Sequence, residues 1–261
     1  MRKTKIIATL SDKRCDKNFV QLLHNAGMNV ARINTAHITS ESGLKIVENV
    51  RAVSDKIAIL IDTKGTEIRT SRMQAEQAVE EDQLITISYG DKNLDSSPAV
   101  CVNYRYFAED CKIGDRILFD DGEIEVVVED KTGDKLICRV KNNGKIKNNK
   151  SVNVPGVVTN LPTLSDRDRD FIRFAEDNKL DFIAHSFVRN KEDLKEVGRF
   201  LDELGSDLKI IAKIENLEGV EKIDEILDHA YGIMIARGDL GIELPAEKIP
   251  TVQRNLIRKA I

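Results

Sequence analysis

The sequence predicts an α/β protein in which a series of βα units, forming a parallel sheet or barrel, is interrupted by a β-rich insertion. Three observations predict it. Short apolar runs alternate with amphipathic helical stretches over short links, the pattern that builds a parallel βα architecture. Between about residues 70 and 160 the helical period is lost, and short β-rich segments broken by Gly and Asp-Gly turns take over. Charged residues stand at the C-terminal ends of the apolar runs, the end at which a βα barrel carries its chemistry.

Residues 4–9 (TKIIAT) read as a first buried strand. Residues 16–25 are helical, with Phe19, Val20, Leu22 and Leu23 apolar and Gly27 as the stop. Residues 29–34 (NVARIN) form a second strand carrying Arg32 and Asn34 at its end, 43–53 a second helix, and 57–61 (IAILI) a third strand that runs into DTKGTEIR. The segments LITISYG, AVCVN, RILFDDGEIEVVVED, KLICRVK and KSVNV follow, punctuated by Gly90, Asp120-Asp121-Gly122, Gly133 and Asn142-Asn143-Gly144. An all-β unit inserted at a strand end is well placed to act as a lid. Ser165 to Asp168 resemble a relaxed capping box, so the charge run there reads as a solvated helix start. Residues 181–186 (DFIAHS) are a fourth strand, followed by a helix over 191–204. Ile210, Ile211, Ala212 and Ile214 mark a fifth strand. Leu217, Val220, Ile223 and Leu227 give one helix an apolar face. Residues 232–236 are a sixth strand, 237–245 an acidic loop with glycines, and 246–261 a last helix.

The chain has 261 residues, 41% of them hydrophobic, and a net charge of −4, which argues against a general nucleic-acid binder. No apolar run has the length of a membrane helix, and the N-terminal apolar run is too short for a signal peptide. Cys15, Cys101, Cys111 and Cys138 have no CxxC spacing and read as reduced structural thiols of a cytosolic protein.

Residue types suggest the chemistry. Glu215 and Asp239 are hard oxygen ligands at two successive strand ends and suit Mg²⁺. Lys213 adds a compact positive charge suited to a migrating phosphoryl group or a developing enolate. Gly238 lets the backbone approach a small anion, and its N–H can donate to a carboxylate. The plain alternative is that all three charges merely close strands at the surface.

AKIEN followed by GIMIARGDLGIELP resembles the active-site signature of the pyruvate kinase family, and the resemblance extends over most of the chain. It implies a TIM-type (β/α)8 barrel, incomplete in this chain, with an inserted small all-β barrel lid domain. Residues 1–68 and 161–261 would be the partial barrel and 69–160 the lid, with the remaining barrel strands and a C-terminal regulatory domain absent. The implied reaction is phosphoryl transfer from phosphoenolpyruvate to ADP, giving pyruvate and ATP in glycolysis, with Mg²⁺ (or Mn²⁺) and K⁺ as cofactors. The setting would be cytoplasmic and the assembly a homo-oligomer, a homotetramer in the full-length family. Lys213 would be catalytic. Arg32, Lys213, Gly238 and Asp239 would bind substrate, Arg69 and Lys150 the nucleotide, Glu215 and Asp239 the Mg²⁺, and Asn34, Asp62 and the Thr63 carbonyl the K⁺. Glu67 matches the K⁺-dependent form of the family.

The chain also departs from the family pattern. Ala36 replaces a serine whose hydroxyl ligates K⁺, Thr35 replaces a phenylalanine, Ile38 a glycine, Thr66 a proline and Ser151 a glycine, and TLSDKR lacks the usual Gly-Pro. Without the resemblance, Arg32 reads as a structural partner of Asp62 or Glu215, and Asp62-Thr63 as a strand-to-loop cap. Ser186 reads as pocket wall, and His37 and His185 carry no assigned role. Two rivals stand beside this reading: a Mg²⁺-dependent aldolase or lyase acting on pyruvate enolate, and a degenerate non-catalytic paralogue. The implied gap in the barrel predicts that the 261-residue chain alone is weak or inactive and self-associates, with edge strands at residues 4–9 and 232–236.

Overall fold

Strands with apolar side chains on both faces are stable only inside a parallel sheet covered by helices. The computed structural model, which describes residues 4–71, 73, 75–90 and 98–261, begins this way. Strands β1 (Ile7–Leu10), β2 (Val30–Asn34) and β3 (Ala58–Asp62) pair in parallel, linked by helices α1 (Lys17–Asn25) and α2 (Ser40–Val53). Each helix start has a physical cause. The Asp16 carboxylate accepts from Phe19 N, and Thr39 and Ser42 form a reciprocal capping box. Ala31, Ile33, Ile59 and Ile61 of the sheet pack with Val20 of α1 and Ile46 and Val50 of α2.

After β3 the chain leaves this sheet. It forms β4 (Gln77–Val79), β5 (Leu84–Tyr89), β6 (Ala99–Val102), a short helix α3 (Phe107–Asp110), β7 (Arg116–Phe119), β8 (Ile124–Thr132), β9 (Lys135–Val140), β10 (Gly144–Ile146) and β11 (Val152–Asn153). Six of these strands make one sheet in the order β11-β7-β8-β9-β5-β6, antiparallel except for the β5–β6 pair, while β4 pairs with β10. The β7–β8 turn places Asp120, Asp121 and Gly122 in the left-handed region, at φ of 52°, 57° and 93°. Asp tolerates that conformation better than most residues, and Gly adopts it freely. Phe107, Phe119, Ile85, Ile87 and Leu136 fill a core that shares no buried residue with that of the parallel sheet.

The chain then returns through α4 (Asp166–Asp177), β12 (Phe182–His185), α5 (Lys191–Leu204), β13 (Lys209–Ile214), α6 (Leu217–Glu221), α7 (Ile223–Leu227), β14 (Gly232–Ile235), α8 (Arg237–Glu243) and α9 (Ile249–Ala260). The Ser165–Asp168 box caps α4 from both sides. Strand β12 docks beside β3, completing the parallel order β1-β2-β3-β12-β13-β14, six neighbouring strands of a (β/α) barrel. Among the described residues β1 and β14 are the two edges. No helix among them is long and apolar enough to cross a membrane.

Three expectations are corrected here. The first strand covers Ile7–Leu10 and not residues 4–9; the exposure of Ile6 and Ile7 agrees with its place at an edge, which lacks a neighbour to cover them. The helix expected across Leu217 and Leu227 is two, because Lys222 leaves the helical region at φ −95°, ψ 18°. The loop expected over 237–245 is mostly helix α8. Two glycines lower its helix propensity, but burial of Leu240, whose N–H bonds to Ala236 O, outweighs them.

Candidate functional site

In a parallel sheet buried on both faces, polar groups collect at the C-terminal strand ends. Here β2 brings Arg32 and Asn34, β3 Asp62 with Thr63 just beyond, β12 His185 with Ser186 just beyond, and β13 Lys213 with Glu215. Register sets Asn34 directly beside Asp62.

Lys213 lies at the centre and is nearly buried. Its Nζ is 2.7 Å from Ser186 Oγ, 2.9 Å from Glu215 Oε1 and 3.0 Å from Asp62 Oδ1. The contact to Asp62 Oδ1 is an ion pair that helps to fix the ammonium. Burial disfavours the ammonium, but the Glu215 and Asp62 charges outweigh that cost and hold its pKa above the ordinary lysine value. Lys213 is therefore a fixed cation at neutral pH. Arg32 reaches Asp62 Oδ2 from Nε at 2.6 Å and donates to Thr9 Oγ1 from Nη1 at 2.9 Å, so it spans β1 to β3. The structural pairing with Asp62 is thus real, and Arg32 remains partly exposed beside it.

Glu215 is buried, with Oε1 against Lys213 and Oε2 accepting from Phe187 N at 2.7 Å. Burial pushes its pKa up, and the negative charge of Asp239 adds to the rise. A buried carboxylate whose ionisation burial and a neighbouring negative charge oppose, next to the half-buried Asp239, suits a divalent cation, which would relieve the conflict. Among the described residues no group of three His, Cys, Asp or Glu converges. The pair therefore matches the Mg²⁺ habit of one or two carboxylates, completed by water and substrate oxygens. For a monovalent cation, Asn34 Oδ1 accepts from Ala36 N and Thr63 O accepts from Ser186 Oγ. With Asp62 Oδ1 these are hard oxygens, each with a lone pair to spare, and they fit such an ion. Ala36 adds no oxygen from its side chain.

Gly238 and Asp239 occupy the first turn of α8, whose earliest i→i−4 acceptor, Ala236 O, is used by Leu240 N. Their N–H groups are thus free of the helix ladder. A Cβ on Gly238 would meet nothing within 4 Å, so packing does not demand the glycine and the backbone there lies open.

A cavity of about 1030 Å³ lies between the insertion and the parallel sheet. Arg69 and Lys150 line it from one side, and Ser186, Phe187 and Asp239 from the other. Lys213 and Glu215 stand directly behind Ser186 and Phe187. Arg69 is held by Glu67 at 2.9 Å and by Asn149 O at 2.5 Å, and Lys150 by Asp120 at 2.8 Å.

Two residues escaped the sequence reading. Ser186 is more than pocket wall: it accepts from Lys213 and donates to Thr63 O at 2.7 Å. Phe187 supplies a main-chain donor to Glu215. The signal available was their position, immediately after a buried strand and within a segment of charged strand ends.

Comparison with known proteins follows the same geometry. A family model described as "Pyruvate kinase, barrel domain" matches residues 1–261. A pyruvate kinase of Borreliella burgdorferi is 44% identical over 265 residues, covering 99% of this chain and 54% of the relative. One from Staphylococcus epidermidis is 41% identical over 272 residues, covering 99% and 45%. The crystal structure of a pyruvate kinase from Cryptosporidium parvum superposes with a TM-score of 0.93 at 36% identity, covering 99% of this chain and 55% of that one. The chain spans about half the length of the curated relatives it matches.

Proposed function

The chain belongs to the pyruvate kinase family, and from that premise we propose that its strand-end cluster serves phosphoryl transfer from phosphoenolpyruvate to ADP, giving pyruvate and ATP. The observation that carries this reading is the buried Lys213 ammonium, within 3.0 Å of three oxygens and next to Glu215, directly behind Ser186 in the wall of a cavity that Arg69, Lys150 and Asp239 also line. Phosphoryl transfer asks a protein mainly for positioning and charge, and the cluster offers both.

Lys213 would stabilise charge on the migrating phosphoryl group and on the enolate it leaves. Arg32 would contact the substrate phosphoryl group, with Asp62 and Thr9 fixing its guanidinium. The open N–H groups of Gly238 and Asp239 would hold the substrate carboxylate. Arg69 and Lys150 would meet the nucleotide phosphates. Glu215 and Asp239 would hold Mg²⁺ or Mn²⁺, which when bound would neutralise charge on the phosphoryl and enolate oxygens. Asn34, Asp62 and Thr63 would hold K⁺. We further propose that residues 69–160 act as a lid over a barrel formed by 1–68 and 161–261. The four buried cysteines form no disulfide, which suits a reducing, cytoplasmic setting. A homo-oligomeric assembly is carried over from the family resemblance.

The test is a coupled assay with phosphoenolpyruvate, ADP, Mg²⁺ and K⁺, on this chain and on one extended to the relatives' length. Lys213→Met should lower kcat at least a hundredfold in the active form, with a small change in KM. Turnover without nucleotide would instead favour an enolate lyase, which needs neither Arg69 nor Lys150.

A further inference from the structure

Most residues of the cluster reach their partners through side chains, whereas Phe187 uses its main chain. Its φ is +56°, in the left-handed region. A bulky residue there is a genuine outlier, held against backbone strain by its surroundings. The turn delivers two contacts in succession. Ser186 Oγ accepts from Lys213 Nζ at 2.7 Å, and Phe187 N donates to Glu215 Oε2 at 2.7 Å. Both halves of the Lys213–Glu215 pair are therefore tied to one two-residue segment.

The segment is wedged in place. Gly65, at φ +72°, lies against it, and a Cβ on Gly65 would fall 2.8 Å from both Phe187 Cδ2 and Ser186 Cβ. Gly65 N donates to Asp168 Oδ1 at 3.2 Å, and Asp168 is fully buried, with Oδ2 held by Ser165 at the cap of α4. The seat under the Phe187 ring is thus part of a rigid helix start. A glycine at 187 would take the same turn without cost, but it would also leave it freely. The aromatic ring, pressed on Gly65, removes that freedom.

We infer that Phe187 is a positioning residue for the divalent-cation site: its wedged, left-handed main chain fixes the Glu215 carboxylate in one orientation and leaves its remaining lone pairs for the cation. The inference rests on the reading of Glu215 and Asp239 as the ligand pair. Hydrogen bonds that orient a ligating carboxylate tune metal affinity, and losing one costs about 10–100-fold.

The test is Mn²⁺ titration of the 261-residue chain by electron paramagnetic resonance, with melting temperature measured on every variant. Wild type should bind, and Glu215→Gln should lose most of the affinity. Phe187→Gly should stay folded, because relief of backbone strain offsets the lost ring contact, yet bind Mn²⁺ about tenfold more weakly. Phe187→Ala is the second variant, with the same expected loss, and Phe187→Leu, which keeps a wedge on Gly65, should restore wild-type binding. A merely structural Phe187 would lower the melting temperature and leave the affinity of the folded protein unchanged, and that result would overturn the inference. Equal Mn²⁺ affinity in wild type and Glu215→Gln would overturn the cation reading itself, and the inference with it.

Discussion

Arg189 and Asp193 form a two-pronged ion pair that grips the chain where the insertion rejoins the parallel sheet. Arg189 Nη2 and Nε reach the Asp193 carboxylate at 2.7 and 3.1 Å. Arg189 Nη1 and Nη2 also donate to Thr159 O at 2.8 Å and Leu161 O at 3.1 Å, and Thr163 Oγ1 donates to Asp193 Oδ1 at 2.8 Å. From the insertion side, Asn160 N donates to the Tyr104 hydroxyl and Asn160 Nδ2 to Asp110 Oδ1. The re-entry segment is thus held by both bodies at adjacent residues.

Arg189→Met removes the barrel half of that grip and leaves the Asp193 carboxylate buried without its cation. The expected loss of stability is about 3 kcal/mol, read from urea unfolding. Amide exchange should quicken across residues 159–163. Unchanged exchange in that segment would show that the Asn160 contacts suffice alone.

Ala36 sits on a short 3₁₀ turn, Thr35–His37, and its own N–H donates to Asn34 Oδ1 at 2.9 Å. Ala36→Ser adds a hydroxyl beside the Asn34–Asp62 pair. In an active, extended form the K⁺ concentration for half-maximal activation should fall several-fold, by roughly 1 kcal/mol of added ligand energy. Superimposable K⁺ curves would mean that the position is already served by another oxygen.

His185 is fully buried, and burial drives its pKa below the ordinary 6.5, with Lys213 and Arg189 acting in the same direction against Asp168 and Asp193. The unfolded chain then takes up a proton below 6.5 that the native state refuses. Stability must fall as pH drops through 6.5 and go on falling until the native pKa is reached, by at most about 1.4 kcal/mol per pH unit. His185→Gln should lose this component. Urea midpoints for both proteins at pH 7 and pH 5 give the measurement, and parallel shifts would rule the effect out.

All four cysteines are buried and none forms a disulfide. Burial, reinforced by Asp115 and Asp110, pushes the Cys111 thiol up to about 12, and burial raises Cys138 further still. At pH 8 the native protein should show no rapidly reacting thiol toward a disulfide reagent, whereas the urea-unfolded chain should react at all four. A fast thiol in the native protein would point to local opening of the insertion core, which holds Cys101, Cys111 and Cys138.

The central strands were legible because burial on both faces leaves an unbroken apolar run, as in Ile57 to Ile61 or Ile210 to Ile214. The same composition hides where an edge strand begins, so the start of β1 at Ile7 could not be read, whereas the exposure of Ile6 and Ile7 follows from the open edge that the resemblance implies. Helix α8 was hidden by Gly238 and Gly241, since its stability comes from Leu240 in the core and not from local propensity. In the site, Lys213, Glu215 and Asp239 stand out as charges at apolar strand ends. Phe187 does not, because the sign of a backbone angle is not a property of a phenylalanine.

The docking of β12 beside β3 has a consequence for how the protein is made. Thr63 and Ala184 are bonded neighbours, yet 121 residues separate them. Closing so long a loop instead of a βα crossover of about 30 residues adds only about 1.2 kcal/mol of entropy, because that cost grows with the logarithm of length. Time is the heavier burden. On a ribosome adding 5–20 residues per second, the partner edge of β3 waits roughly ten seconds for β12 to emerge. During that interval the nascent sheet offers Leu60 and Ile61 to any passing strand, while the intervening segment, which has a core of its own, emerges. The stretch of synthesis between β3 and β12 is therefore an interval in which an apolar strand edge stands open to wrong pairing.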